Sequence, residues 1–390
     1  MSSIDRRAFL TTGAVVSSLG GLQARAAAWP PGEPLRGGAP DEDRTIWLSG
    51  DGVSATPAHY TRLLARLAAE KGIAPDSYSI GAVVGDLEAE FARLLGKERA
   101  IFMPTGTLAN HLAIRALAGG TGRVIVQHES HLYQDTGDCA QTLSNLTLMP
   151  LAPGKATFTA ADVEQVLDDS AHGRVPPRVA AISIETPVRR RFGERFDGAE
   201  LEKIVALATG RGIKLHLDGA RLFLQAAYTG EDVAATARPF DTVYVSLYKY
   251  FNAASGAVLA GPRALLDNMH HTRRMFGGGL SSVWPFAAVA RHYAEGFGDR
   301  YKAAVQISEE LIKALPQRGS FTVERMPAGT NLFRLRVPAK DPIAFQKRLA
   351  AQQIMLAPPR GDQFLIGVNE TLNRTRASDL ADAMVRALQD

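Results

Sequence analysis

The chain has 390 residues, 46% hydrophobic and 22% charged, with one cysteine and a formal net charge of +4. That is ample apolar material for a large core, and it excludes a disordered or a disulfide-stapled protein. Arg6, Arg7 and Arg25 against Asp5 place +2 of the charge within the first 28 residues; the balance, about +2, is too small for a nucleic-acid-binding surface.

Residues 1–28 read as a targeting segment rather than as part of the fold. Asp5-Arg6-Arg7-Ala8-Phe9-Leu10 precedes a mildly apolar stretch from Thr12 to Leu22, then Ala24-Arg25-Ala26-Ala27-Ala28. Paired arginines followed by Phe-Leu resemble a twin-arginine (Tat) export signal. The resemblance implies the Tat export machinery as a partner, cleavage near Ala26 or Ala28, and a periplasmic location. The apolar run is too short and too rich in Gly and Ser for a stable membrane span. Cys139 alone allows no intrachain disulfide, which suits a protein that folds before export.

The next segment, residues 29–55, is an N-terminal arm, its Trp29–Arg44 part rich in Pro and Gly. Within the arm, Ile46-Trp47-Leu48 leads into the polar glycine turn Ser49-Gly50-Asp51-Gly52-Val53-Ser54. Pro57 opens a helix through Ala69, with Leu63, Leu64 and Leu67 on one face. Residues 72–85 are irregular, and Asp86 is placed to cap a second helix whose stripe is Leu87, Phe91, Leu94 and Leu95. Ala100–Met103 is a strand that turns through Pro104-Thr105-Gly106-Thr107 into a helix ending at Ala118. A glycine with small hydroxyl residues at a helix N-terminus is a ready phosphate site. Val124–Val126 is the next strand, and its exit carries His128-Glu129-Ser130-His131; no third clustered ligand follows, so no metal site is expected.

Val179–Ile184 is a further buried strand, ending Glu185-Thr186-Pro187, and the Arg189-Arg190-Arg191 run after it reads as a solvated loop. Asp197 with Glu200 has the spacing of a capping box for a helix near Leu201. Ile213–Leu217 and Thr242–Leu247 are continuous apolar runs, as buried parallel strands require. Ala257–Ala260 returns as a strand, Asp267–Met275 is helical and basic, and Gly277-Gly278-Gly279 breaks it. Residues 56–296 therefore form a large α/β domain with a mostly parallel sheet, and residues 297–390 a smaller α+β domain.

The two central strands each deliver a charged residue at or just past the carboxyl end, Asp218 and Lys249. That edge is where open α/β sheets bind ligands. A lysine that can form a Schiff base and a carboxylate that can pair with a pyridine nitrogen are what pyridoxal 5'-phosphate needs. A Lys and an Asp at strand ends also occur as ordinary turns or local ion pairs; the order of the surrounding motifs separates the two.

That order resembles the threonine aldolase and β-eliminating lyase family of fold type I pyridoxal phosphate enzymes. The resemblance runs through SGDGVS, VVGDLEAEFARLLGKERAIFMPTGTLANHLAI, the HES-H segment, HLDGARLF, SLYKYFNAASGAVLAG and RRMFGGGL. It implies Lys249 as the Schiff-base lysine, Asp218 on the pyridine nitrogen, and Arg221 on the phenolic oxygen or the substrate carboxylate. It implies Gly106 and Thr107 on the phosphate, His131 stacked on the ring, and Ser49 or Ser54 on the substrate. Arg274 corresponds to a basic residue that reaches a neighbouring subunit's cofactor, so a homodimer or homotetramer is implied, and Arg360 is the nearest match to a C-terminal carboxylate-binding arginine.

Four positions depart from the family pattern. Ser281 stands where an arginine follows the glycines, and Glu185-Thr186-Pro187-Val188 lacks a histidine near the substrate hydroxyl. Tyr248 precedes the lysine, and no arginine lies within Phe364–Asn369. The implied reaction is cleavage of the Cα–Cβ bond of a small β-hydroxy-α-amino acid to glycine and an aldehyde, with His131 or an ordered water as base. β-Elimination from another amino acid is the alternative, and a non-catalytic exported relative a second one. A nicotinamide enzyme is disfavoured, because no G-x-G-x-x-G opens a helix.

Overall fold

The computed structural model describes residues 44–53 and 55–389. The export signal, most of the arm and Ser54 lie outside the described residues. Twelve strands follow in chain order: β1 (Ile46–Trp47), β2 (Arg99–Met103), β3 (Gly122–Gln127), β4 (Leu146–Leu151), β5 (Val179–Glu185), β6 (Lys214–Asp218), β7 (Thr242–Ser246), β8 (Ala257–Gly261), β9 (Thr322–Arg325), β10 (Leu332–Arg336), β11 (Ile354–Met355) and β12 (Gln363–Gly367).

Seven of them form the central sheet in the order β2-β8-β7-β6-β5-β3-β4. Only β8 runs antiparallel to its neighbours; the other pairs are parallel. The two-residue period of a strand sends alternate side chains to opposite faces. Ala100 and Phe102 enter the large core cluster on one face, while Ile101 and Met103 pack with Ala109, Leu112 and Ala113 of the helix Gly106–Ala118 on the other. Both faces are covered, which is why these strands read as unbroken apolar runs.

Strands β9, β10 and β12 form an antiparallel sheet, and β1 pairs in parallel with β11. Phe297, where a domain boundary is expected, is the first residue of the long helix Phe297–Arg318. Phe297 and Tyr301 of that helix stack at 5.3 Å, and Phe297 meets Phe251 at 5.1 Å. Phe333, Leu335 and Phe364 share one continuous core with Phe102 and Val243.

Two expected caps differ in the structure. The second helix starts at Ala82 with Gly81 at its N-cap, so Asp86 lies inside it and pairs instead with Arg291 at 3.0 Å. Burial of Val83 and Val84 rewards the additional turn. Asp197 does accept from the Glu200 N–H at 2.9 Å, but the Glu200 carboxylate turns to the Ala160 N–H and Lys203, so the box is half formed.

Candidate active site

A cleft of about 960 Å³ opens at the carboxyl edge of the central sheet. Five of the residues expected at a site line it together: Ser49, His131, Asp218, Arg221 and Lys249. Their convergence follows from strand register. His216 and Asp218 of β6, two apart, point to the same face, where the helix Gly106–Ala118 presents Asn110. In the neighbouring strand, Thr242 lies opposite His216 and Tyr244 opposite Asp218.

These positions create a buried chain of hydrogen bonds ending on the carboxylate. Thr242 Oγ1 meets His216 Nδ1 at 2.8 Å, His216 Nε2 meets Asn110 Oδ1 at 2.9 Å, and Asn110 Nδ2 donates to Asp218 Oδ2 at 2.5 Å. The Asn110 amide accepts on one side and donates on the other, so His216 carries its proton on Nε2 and receives the Thr242 hydroxyl on Nδ1. Burial pushes the His216 pKa down to about 4, despite the opposing pull of Asp218 and Thr242. Asp218 is 3% exposed and has no ion-pair partner among the described residues. Its other oxygen accepts from the Ala220 N–H at 3.2 Å.

Glu185, at the end of β5, stands opposite Asp218 in the register and lines the same cleft. Burial and the neighbouring Asp218 carboxylate push its pKa upward, although it accepts from the His131 N–H at 2.6 Å and the Arg189 N–H at 2.9 Å. Arg221 is clasped by Asp51, with its Nε 3.0 Å from both carboxylate oxygens and Nη2 2.8 Å from Oδ2. Asn331 donates to the same carboxylate at 3.0 Å. Burial raises the Asp51 pKa, but Arg221 outweighs it and holds the group below the ordinary range.

Lys249 follows β7, and Tyr250 and Phe251 behind it are buried in the aromatic core. Its Nζ is 3.4 Å from the Tyr248 hydroxyl and has no carboxylate in ion-pair range among the described residues. Val53 N–H donates to Asn252 Oδ1 at 2.7 Å, drawing the 49–53 segment across the lysine turn.

The remaining expected residues lie elsewhere. Gly106 and Thr107 begin the helix at the sheet edge without lining the cleft; a Cβ on Gly106 would overlap the Tyr244 hydroxyl, and Tyr244 does line it. Arg274 is exposed and lies over the Tyr78 ring at 4.9 Å, outside the cleft. Arg360 sits in the hairpin turn ahead of β12 and is also absent from the cleft wall. Three charged cleft residues are not singled out by the sequence: Asp51, Glu185 and Arg189. In the sequence, Asp51 lies between the serines of SGDGVS, Glu185 marks a strand end, and Arg189 belongs to a run that reads as a solvated loop.

The side chains present fit pyridoxal phosphate. A buried carboxylate without a counter-charge suits a protonated ring nitrogen, and a lysine without a carboxylate suits an aldehyde. His131 Nδ1 is buried without a hydrogen-bond partner, and the first N–H groups of the helix at Gly106 and Thr107 are free of intrahelical partners. Among the described residues no group of three His, Cys, Asp or Glu side chains is placed to hold a metal ion, and no helix is long and apolar enough to cross a membrane.

A low specificity L-threonine aldolase of Saccharomyces cerevisiae is 28% identical over 270 residues, 67% of this chain and 68% of that protein. An uncharacterized protein of Caenorhabditis elegans is 29% identical over 253 residues, and the chain spans 59% of its length. A solved structure from Listeria monocytogenes, described as a candidate L-allo-threonine aldolase, superposes with a TM-score of 0.70 at 26% identity, covering 89% of this chain and 97% of that one. The α/β architecture with a mostly parallel central sheet, expected from the likeness to fold type I enzymes, is thus the architecture present. Residues 54–337, well over half of the chain and including His131, Asp218, Arg221 and Lys249, match the family model described as Beta-eliminating lyase, and the chain belongs to that family.

Proposed function

We propose that the chain is a pyridoxal-phosphate-dependent lyase that cleaves the Cα–Cβ bond of a β-hydroxy-α-amino acid, giving glycine and an aldehyde. The observation that carries this reading is the convergence of Asp218 and Lys249 from neighbouring strands on one cleft. When bound, pyridoxal phosphate supplies an electron sink for the pair left by the broken Cα bond.

This chain's own residues supply the rest. Lys249 is the attachment point for the cofactor aldehyde. Asp218 would hold a proton on the ring nitrogen, and the Asn110–His216–Thr242 chain fixes the orientation of its carboxylate. His131, with Nδ1 unpartnered, would stack on the ring, and it or an ordered water would take the proton from the substrate β-hydroxyl. Gly106 and Thr107 offer backbone N–H groups to the phosphate at a helix N-terminus. Arg221, paired with Asp51, would meet the cofactor's phenolic oxygen or the substrate carboxylate.

Borohydride reduction of the holo protein, then digestion, is expected to leave the label on the peptide containing Lys249. Lys249→Ala should abolish both the label and turnover. Glycine plus aldehyde from threonine or phenylserine supports aldol cleavage, whereas pyruvate plus ammonia from serine would replace it with elimination.

Two further readings belong to the same proposal. The chain is a homo-oligomer, supported by the exposed apolar group of Tyr78, Ile80, Met275 and Leu280 beside Arg274. It is exported by the twin-arginine route to the periplasm, supported by the pattern in residues 5–28. Changing Arg6 and Arg7 to Lys should leave the protein in the cytoplasmic fraction.

A further inference from the structure

The three consecutive arginines after β5 form one tight 3-10 turn, Arg189–Arg191, and they do not behave alike. Arg190 forks onto Asp135, at 2.6 Å and 3.3 Å, and Arg191 pairs with Glu194 at 3.3 Å. Arg189 instead lines the cleft. Its backbone N–H is pinned to Glu185 Oε1 at 2.9 Å, which fixes its Cα against the cleft floor. The only carboxylate in ion-pair range of its guanidinium, among the described residues, is Asp135 at 3.8 Å. That is beyond hydrogen-bond distance, and the carboxylate is already held by Arg190. Glu185 accepts from both the His131 N–H at 2.6 Å and the Arg189 N–H at 2.9 Å, so Arg189 and His131 belong to the same wall of the cleft.

The other cleft cations are accounted for. Arg221 is matched by Asp51 through both carboxylate oxygens, and Lys249 is the cofactor attachment point under the reading above, on which this inference rests. Arg274 and Arg360 do not line the cleft. Arg189 therefore lines the ligand space with a half-exposed guanidinium whose hydrogen-bonding fork is unfilled among the described residues. A planar fork of this kind matches a carboxylate in two-point geometry, and every amino-acid substrate brings one.

We propose that Arg189 is the receptor for a carboxylate of the amino-acid substrate. That carboxylate is either the α-carboxylate or a second one on an acidic side chain. The chemistry of recognition is shared, and the choice of substrate separates the two.

The test uses the full chain loaded with pyridoxal phosphate, as wild type, Arg189→Gln and Arg189→Lys. Succinate and acetate are titrated against tryptophan fluorescence, since Trp47 lines the cleft, and steady-state constants are taken for threonine and 3-hydroxyaspartate. Arg189→Gln is expected to raise KM about tenfold or more with kcat nearly unchanged, to weaken succinate binding by a similar factor, and to be partly restored by Arg189→Lys. A KM rise for both substrates assigns the α-carboxylate; a rise confined to 3-hydroxyaspartate assigns the side-chain group. Unchanged KM values and unchanged succinate affinity in Arg189→Gln overturn the proposal. If the wild type binds carboxylates but cleaves neither substrate, the lyase reading fails, and the succinate titration alone decides the role of Arg189.

Discussion

At the scale of single residues, the site depends on a histidine that touches no ligand. His216 is fully buried and neutral, with a pKa of about 4 in the fold against the ordinary 6.5. Its contribution to stability is complete above about pH 6.5 and is lost as pH falls towards 4, because the unfolded chain then takes up a proton that the folded chain resists. The shift corresponds to about 3 kcal/mol at the acid end. His216→Gln should therefore be clearly less stable than wild type at pH 7.5 in urea unfolding, and the gap should narrow by pH 4.5. His111, also held at about 4 by burial and Arg115, keeps an acid slope in both proteins, so the difference between them is the measurement. A gap independent of pH would show that His216 acts by packing alone. The sequence made Asp218 and Lys249 legible because each ends a continuous apolar strand. It could not reveal Asn110 as the partner of Asp218, or His216 as the partner of Asn110, since their meeting depends on which face of β6 the helix Gly106–Ala118 covers.

At the scale of elements, the 49–53 segment is a strap over the lysine turn, held at several points. Gly367 N–H donates to Leu48 C=O at 2.9 Å, Asp51 ties to Arg221 and Asn331, and Val53 ties to Asn252. Gly52 is the point of closest approach: a Cβ there would overlap the Lys249 carbonyl oxygen and the Asn252 side chain. Gly52→Ala should cost about 1–3 kcal/mol in thermal unfolding and lower the visible absorbance of bound cofactor, because the strap can yield only by moving the lysine turn. Gly50→Ala is the contrast. Gly50 has φ +80° but open space around it, so backbone strain of about 1–2 kcal/mol is expected with cofactor retained. Equal loss of cofactor in both would remove the strap from the account. The strap's glycine motif was readable, but its docking was not. The β1 pairing with β11 joins two-residue strands from opposite ends of the described chain, and neither has a periodicity to read. Helix starts were misplaced for a similar reason: at Ala82, burial of Val83 and Val84 overrode the capping signal at Asp86.

At the scale of the whole molecule, the central sheet is covered on both faces, and four of the nine exposed large hydrophobic side chains among the described residues stand around the expected intersubunit residue. Tyr78 is 48% exposed, Ile80 52%, Met275 66% and Leu280 38%. They are neighbours through the Tyr78 N–H to Ser281 C=O bond and the Ser79 hydroxyl to Leu280 C=O bond, with Arg274 over the Tyr78 ring. A monomer gains nothing from such a group, whereas burying what is still exposed of each side chain against a second copy stabilises by about 1 kcal/mol, roughly half of what full burial gives. Placing charges there should reverse the gain. The double variant Ile80→Glu with Met275→Glu is expected to weaken self-association at least about a hundredfold in sedimentation equilibrium, with the monomer still folded because neither side chain is buried. Its activity tests whether the site is complete within one chain. If Arg274 reaches the cofactor of a neighbouring copy, dissociated protein should lose cofactor affinity even though its own cleft is intact. A wild type that sediments as a fully active monomer would assign Arg274 and Tyr78 to surface packing alone, and the cleft of a single chain would then be the whole site.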